Sequence, residues 1–180
     1  MSRTKYLAFY TFSNTRGNIE NGKLRPRSQG DTNLHIQTFV EVFIISDIDT
    51  YDARVQAIRA YNQPILNDFR TWLQQSGFSE KTVRSHVRNV KFFTEYLVYY
   101  DDPLKKLDEA NNSDIRTFFL YWFPRKGLWA SAGTVKSNIA SFKKFFQWMG
   151  ETGRISPKTV ADVLTVLKEG RDRFLERVTE

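Results

Sequence analysis

The stretch SEKTVRSHVRNVKFF, beginning at Ser79, returns as SAGTVKSNIASFKKFF, beginning at Ser131. A shift of 52 positions aligns Ser79 with Ser131, Thr82 with Thr134, Val83 with Val135, Ser85 with Ser137, Lys91 with Lys143 and Phe93 with Phe145, with no gap over 19 residues. Each copy opens with a Ser suited to cap a helix and continues with apolar residues at helical spacing. At 100° per residue, Val83, Val87, Val90, Phe93 and Leu97 share one arc, and Val135, Ile139, Phe142, Phe145 and Met149 share the matching one. A chain that writes this twice is constrained to pack two similar helices against a common core.

The surrounding segments extend the same pattern. Ile65, Leu66, Phe69, Trp72 and Leu73 form a helical stripe behind Pro64, which suits a first helical turn, and Gly77 ends it. A shorter helix is expected over about Tyr51 to Tyr61, stopping before Asn62-Gln63-Pro64. Asn112 or Ser113 would cap a helix through DIRTFFLYWF, ended by Pro124 and Gly127, and Ser156-Pro157 would open a last one, interrupted at Gly170. The expected fold is mainly α, a compact bundle of about five helices over residues 51–180. Residues 1–50 read differently. KYLAFYTF and HIQTFVEVFII are β-branched and aromatic, with Ile36, Thr38, Val40, Val42 and Ile44 alternating, and Asn21-Gly22 is a hairpin signal. A small β-rich N-terminal extension, a sheet or an arm-type module, is expected there.

Charge narrows the function. The chain carries +7 with no Cys, so no disulfide scaffold or thiolate metal site is available. Residues 63–180 hold 19 basic and 14 acidic residues, and the two repeated helices account for that whole excess of +5, with seven Lys/Arg against Glu80 and Glu95. A solvated helix face ordinarily mixes signs to gain i,i+4 pairs. Here Lys81, Arg84, Arg88 and Lys91 line one arc, and Lys136, Lys143 and Lys144 return in the second copy. With Ser/Thr at the helix openings, this composition points to phosphates. No Walker loop, Rossmann glycine pattern or EF-hand is present, Asp47 and Asp49 read as helix-capping residues, and no cofactor or metal is implied. No signal peptide or membrane-spanning run is evident, so a cytoplasmic protein is expected.

The segments ILNDFRTWLQQSGFSEKTVRSHVRNVKFFTEYL, SDIRTFFLYWF and SAGTVKSNIASFKKFFQWM, in that order, resemble the core-binding, SAM-like N-terminal domain of tyrosine recombinases, the phage-integrase family. The resemblance covers about Pro64 to Val178. It implies a DNA clamp whose second and fourth helices, matching the two repeats, face the duplex. The DNA contacts it implies are Thr82, Arg84, Ser85, Arg88 and Lys91 in the first copy and Thr134, Lys136, Ser137, Lys143 and Lys144 in the second. Lys81, Arg125 and Lys126 would reach the backbone from the helix edge or nearby loops. It also implies that the chemistry, a Tyr nucleophile assisted by Arg, His and Lys, belongs to a separate C-terminal domain. Neither His35 nor His86 begins a His-x-x-Arg motif, and Tyr96, Tyr99 and Tyr100 read as packing residues. No catalytic residue is therefore assigned, and the chain alone is expected not to cut or join DNA. The partners expected are double-stranded DNA and other recombinase protomers, with no membrane. Two rivals are a free-standing helical DNA-binding regulator and a helical protein-interaction module whose basic faces meet acidic protein surfaces.

Overall fold

The computed structural model describes residues 19–20, 23–24, 29–99, 103–126 and 129–179, with only the backbone course given for the helical residues before Thr50. Two compact units divide at Thr50 and Tyr51.

In the first unit, β1 (Ile19–Glu20) and β2 (Lys23–Leu24) pair antiparallel, Ile19 opposite Leu24 and Glu20 opposite Lys23, on either side of Asn21-Gly22. The β-rich N-terminal extension is otherwise not supported. The segment HIQTFVEVFII lies within helix α1 (Gln29–Gln75), not in a strand. Its alternating residues contain a helical spacing as well, since Ile36, Val40 and Ile44 recur every fourth position, and β-branched composition alone favoured the strand. KYLAFYTF lies outside the described residues.

In the second unit, α1 continues through Pro64 instead of breaking before it. Contacts on both sides of the proline hold the helix across it. Asn62, buried, accepts the Leu107 N–H through Oδ1 at 3.0 Å, the Tyr61 hydroxyl donates to Asp108, and Ile65 and Leu66 are buried in the core. The helix ends where Gly77 takes φ 79° and the Phe78 N–H reaches back to the Leu73 carbonyl at 3.2 Å. A left-handed residue at that position favours glycine. α2 (Glu80–Tyr99) follows, and then a short 3-10 turn (Leu107–Glu109).

Asn111, one residue earlier than expected, caps α3 (Asn112–Thr117). Its side chain accepts from the Ser113 and Asp114 N–H groups, while the Asp114 carboxylate accepts from the Asn111 N–H. The chain then widens into one π-helical turn (Phe118–Trp122) before α4 (Phe123–Lys126). Pro124 offers a reason for it. It has no N–H, and its ring would crowd the carbonyl four residues back, that of Leu120, in a regular helix. The Leu120 carbonyl accepts instead from Arg177 Nε at 3.2 Å.

α5 (Ala132–Glu151) is capped by Ser131, α6 (Pro157–Glu169) by Ser156, and α7 (Arg171–Glu176) follows Gly170. The second unit is thus the expected helical bundle. Phe93, Phe118, Phe142, Phe145, Phe146 and Phe174 are fully buried at its centre. Gly150 lets α6 approach α5, since a Cβ there would stand 2.5 Å from a Val160 methyl.

Candidate nucleic-acid interface

The two repeated helices pack against each other along their length. They run antiparallel. Phe78, just before α2, carries the Lys144 ammonium 4.5 Å from its ring centre, His86 meets Ser141, Asn89 meets Ser137 and Ser141, and Phe92 meets Trp129. The facing surfaces are polar and buried. Asn89 Nδ2 donates to the hydroxyls of Ser137 and Ser141, each at 2.9 Å, and His86 Nδ1 lies 2.8 Å from Ser141 Oγ. The Ser141 hydroxyl also lies 2.9 Å from the Ser137 carbonyl, so it joins His86, Asn89 and the α5 backbone in one buried polar cluster. Burial, and then the Lys144 charge, hold the His86 imidazolium pKa below its ordinary value.

This seam sorts the residues singled out from sequence. Ser137 is half-buried and bonded to Asn89, and Lys144 is half-buried over Phe78. Thr82 bonds the Ser79 hydroxyl through its own at 2.9 Å. Thr134 completes the cap of α5: its Oγ1 accepts the Ser131 N–H at 2.9 Å and lies 3.2 Å from the Trp129 carbonyl. These groups build the helix openings and the helix pair. Ser85 is half-buried on α2.

The cations lie elsewhere. Lys81, Arg84, Arg88 and Lys91 on α2, Lys136 on α5, and Arg125 and Lys126 on α4 are exposed, and Lys143 is half-exposed. On a helical projection, Arg84 and Lys91 sit roughly opposite Asn89, and Lys136 and Lys143 stand in the equivalent positions on α5. The two basic rows therefore flank the helix pair on its outer margins, and Arg88 lies nearer the seam. The acids of α2 do not neutralise them. Glu80 pairs with Arg70 at 3.8 Å and Glu95 with Arg59 at 2.7 Å, so α1 takes both carboxylates. Among the described residues, Arg84, Arg88, Lys91, Lys136 and Lys143 meet no carboxylate.

One feature escaped the sequence reading. A groove of about 290 Å³ opens between α2 and the start of α5, lined by Arg88, Asn89, Phe92, Trp129, Ser137 and Asn138 among others. Trp129 is 57% exposed on its wall. Its place two residues before the capping Ser131 was the only available signal. The tyrosines read as packing residues include Tyr96, buried against Phe93, Phe118 and Trp122, and Tyr99, whose hydroxyl accepts from Arg59; Tyr100 lies outside the described residues. No cluster of three or more metal-binding side chains, and no helix long and apolar enough to cross a membrane, occurs among the described residues.

The family model described as phage integrase, N-terminal SAM-like domain, matches residues 65–168, a span that contains both repeated helices and the groove. Among curated proteins, the tyrosine recombinase XerC of Rickettsia conorii (strain ATCC VR-613 / Malish 7) is 22% identical over 102 residues, which cover 56% of this chain and 33% of that protein. Proteins of the same name from Rickettsia rickettsii (strain Sheila Smith) and Rickettsia africae (strain ESF-5) match to the same extent. The match therefore spans about a third of the length of these relatives. No solved structure matches the chain.

Proposed function

Because the chain belongs to the phage-integrase family through its N-terminal SAM-like domain, we propose that residues 51–180 bind duplex DNA as the clamp part of a tyrosine recombinase and contribute binding, not bond-breaking chemistry. The observation that carries this reading is the set of cations left without carboxylates on the outer margins of α2 and α5. Helices about 10–12 Å in diameter packed about 8–10 Å apart hold two rows of cations on their outer margins roughly 20 Å apart, so the rows straddle a major groove about 12 Å wide and reach the phosphates on either side of it. Arg84, Lys91, Lys136 and Lys143 neutralise phosphates, and Arg88, nearer the seam, adds its charge to the same surface. Lys81, Arg125 and Lys126 extend the contact along the backbone. Thr82 and Thr134 also fix where each helix starts, and Ser137 and Lys144 also hold the helix pair together; these four, with Ser85, add the polar contacts to the same surface.

The salt dependence of binding to duplex DNA tests this. Each neutralised phosphate contributes a slope of about −0.9 in log affinity against log salt, so five contacts give a slope near −4.5. A slope close to zero, or equal affinity for an acidic protein surface, would favour the protein-interaction reading. A covalent protein–DNA adduct on a nicked site would contradict the assignment of chemistry to another part of the recombinase, and none is expected.

A further inference from the structure

The phosphate-binding rows leave the seam between them unexplained, and that is where the groove lies. Exposed tryptophan on a soluble domain commonly marks a contact surface, and this one is held firmly. The Trp129 carbonyl lies within hydrogen-bond reach of the Thr134 hydroxyl, and its ring leans on Phe92 at 5.4 Å between centroids. Phe92 in turn packs on Trp122 at 4.7 Å and on Phe118 and Phe123 at 6.1 Å, so the wall is continuous with the aromatic core. Arg88, which meets no carboxylate among the described residues, stands in the same groove.

An apolar wall beside an unpaired guanidinium is a poor match for phosphate alone, but it fits what base pairs present in the major groove. Thymine offers a C5-methyl group there, and guanine offers the O6 and N7 acceptors that an arginine fork engages. We propose that this groove reads base edges, with the Phe92–Trp129 wall taking a thymine methyl and Arg88 an adjacent guanine. The inference rests on the duplex-binding reading above and adds to it a specificity that the outer cations do not provide. The cations position the duplex, and the groove between them selects among sequences. Charge complementarity favours this occupant over an apolar peptide, since Arg84 and Arg88 on the same helix meet no carboxylate among the described residues.

The experiment begins with selection from a random duplex pool by the whole chain. The recovered sequence is then synthesised once with thymine and once with uracil, which removes only the methyl groups. Burial of one methyl corresponds to about a fourfold preference for the thymine duplex. Trp129→Ala is expected to bring the ratio of thymine-duplex to uracil-duplex affinity to about one, and Trp129→Phe is expected to retain part of the preference. Thermal unfolding of both variants checks that the bundle is intact, and Trp129→Phe keeps the test open if Trp129→Ala unfolds. Recovery of no common sequence, equal affinity for the two duplexes, or a thymine preference that survives in Trp129→Ala each overturns the proposal while leaving duplex binding standing. Failure to bind either duplex overturns both readings.

Discussion

The cations of the helical unit fall into two groups by the company they keep. On α1, in the loop after α2, and around the start of α6, Arg59 meets Glu95, Lys105 meets the buried Asp114 at 2.6 Å, Arg154 meets Asp68 and Lys158 meets Asp162. On the outer margins of α2 and α5, Arg84, Arg88, Lys91, Lys136 and Lys143 meet none among the described residues. The exposed pairs of the first group contribute little stability, about 0–1 kcal/mol each, whereas Lys105–Asp114, with its carboxylate buried, ties the loop after α2 to the start of α3. The difference matters for what each group can do next. A cation already paired must give up its carboxylate before it can neutralise a phosphate, whereas an unpaired one gives up only water and mobile ions. The carboxylates of α2 turn toward α1, and the helix is left more basic than its sequence alone implies.

The sharpest way to break this contrast is to reverse each group in turn. Changing Arg84, Arg88, Lys136 and Lys143 together to Glu is expected to lower duplex affinity by roughly a thousandfold and to cut the salt slope by about four. Changing the paired Arg59, Arg154, Lys158 and Lys106, which lies 3.6 Å from Glu109, to Glu is expected to leave affinity within about threefold. Gel shifts or fluorescence anisotropy at fixed salt measure both. Equal losses in the two variants would reduce the unpaired rows to a general charge effect and dissolve the comparison.

A smaller effect separates building the surface from using it. Asn89 is 8% exposed, and its amide ties two hydroxyls of the facing helix. Asn89→Ala removes both bonds and is expected to cost about 1–3 kcal/mol in denaturant unfolding. Phosphate contacts on the outer margins are untouched, so duplex affinity measured on the folded variant should change by less than about threefold. A large affinity loss without a stability loss would move Asn89 from the helix seam into the binding surface.

What sequence made legible, and what it hid, follows the range of the interactions involved. Ser79, Ser131, Ser156 and Gly77 were readable as helix boundaries because caps and left-handed stops are decided within a few residues. The apolar arcs were readable because both repeats present the same helical spacing to one core. Pro64 was misread because what holds α1 together there, Asn62 on the Leu107 amide and Tyr61 on Asp108, joins residues more than 40 positions apart. The π turn was hidden for a similar reason, since the Leu120 carbonyl finds its donor 57 residues later in Arg177. At the candidate interface, composition located the cations but could not distinguish Arg84, exposed and unpaired, from Lys144, which lies on the ring of Phe78. Trp129 was passed over because nothing local distinguishes an exposed tryptophan from a core one.

The smallest predicted effect probes the seam through pH. His86 is 9% exposed, its Nδ1 lies 2.8 Å from Ser141 Oγ, and the Lys144 ammonium sits beside it, so adding a second proton places a poorly solvated charge next to another cation. In the unfolded chain the imidazole takes up that proton near its ordinary pKa of 6.5, and in the folded chain only at lower pH. Between those values the unfolded state binds more protons, so stability falls as the solution is acidified. The contribution of neutral His86 is therefore complete above the unfolded value and is lost as pH falls through the folded one. Denaturation midpoints at about pH 7.5 and about pH 5.5 should show a larger drop for the natural chain than for His86→Gln, which can donate to Ser141 but does not titrate. Lys144→Met should lie between them, because it removes the neighbouring charge and keeps the burial. Equal drops in the natural chain and His86→Gln would mean that His86 titrates alike in both states, and the seam would lose its claim to be dry.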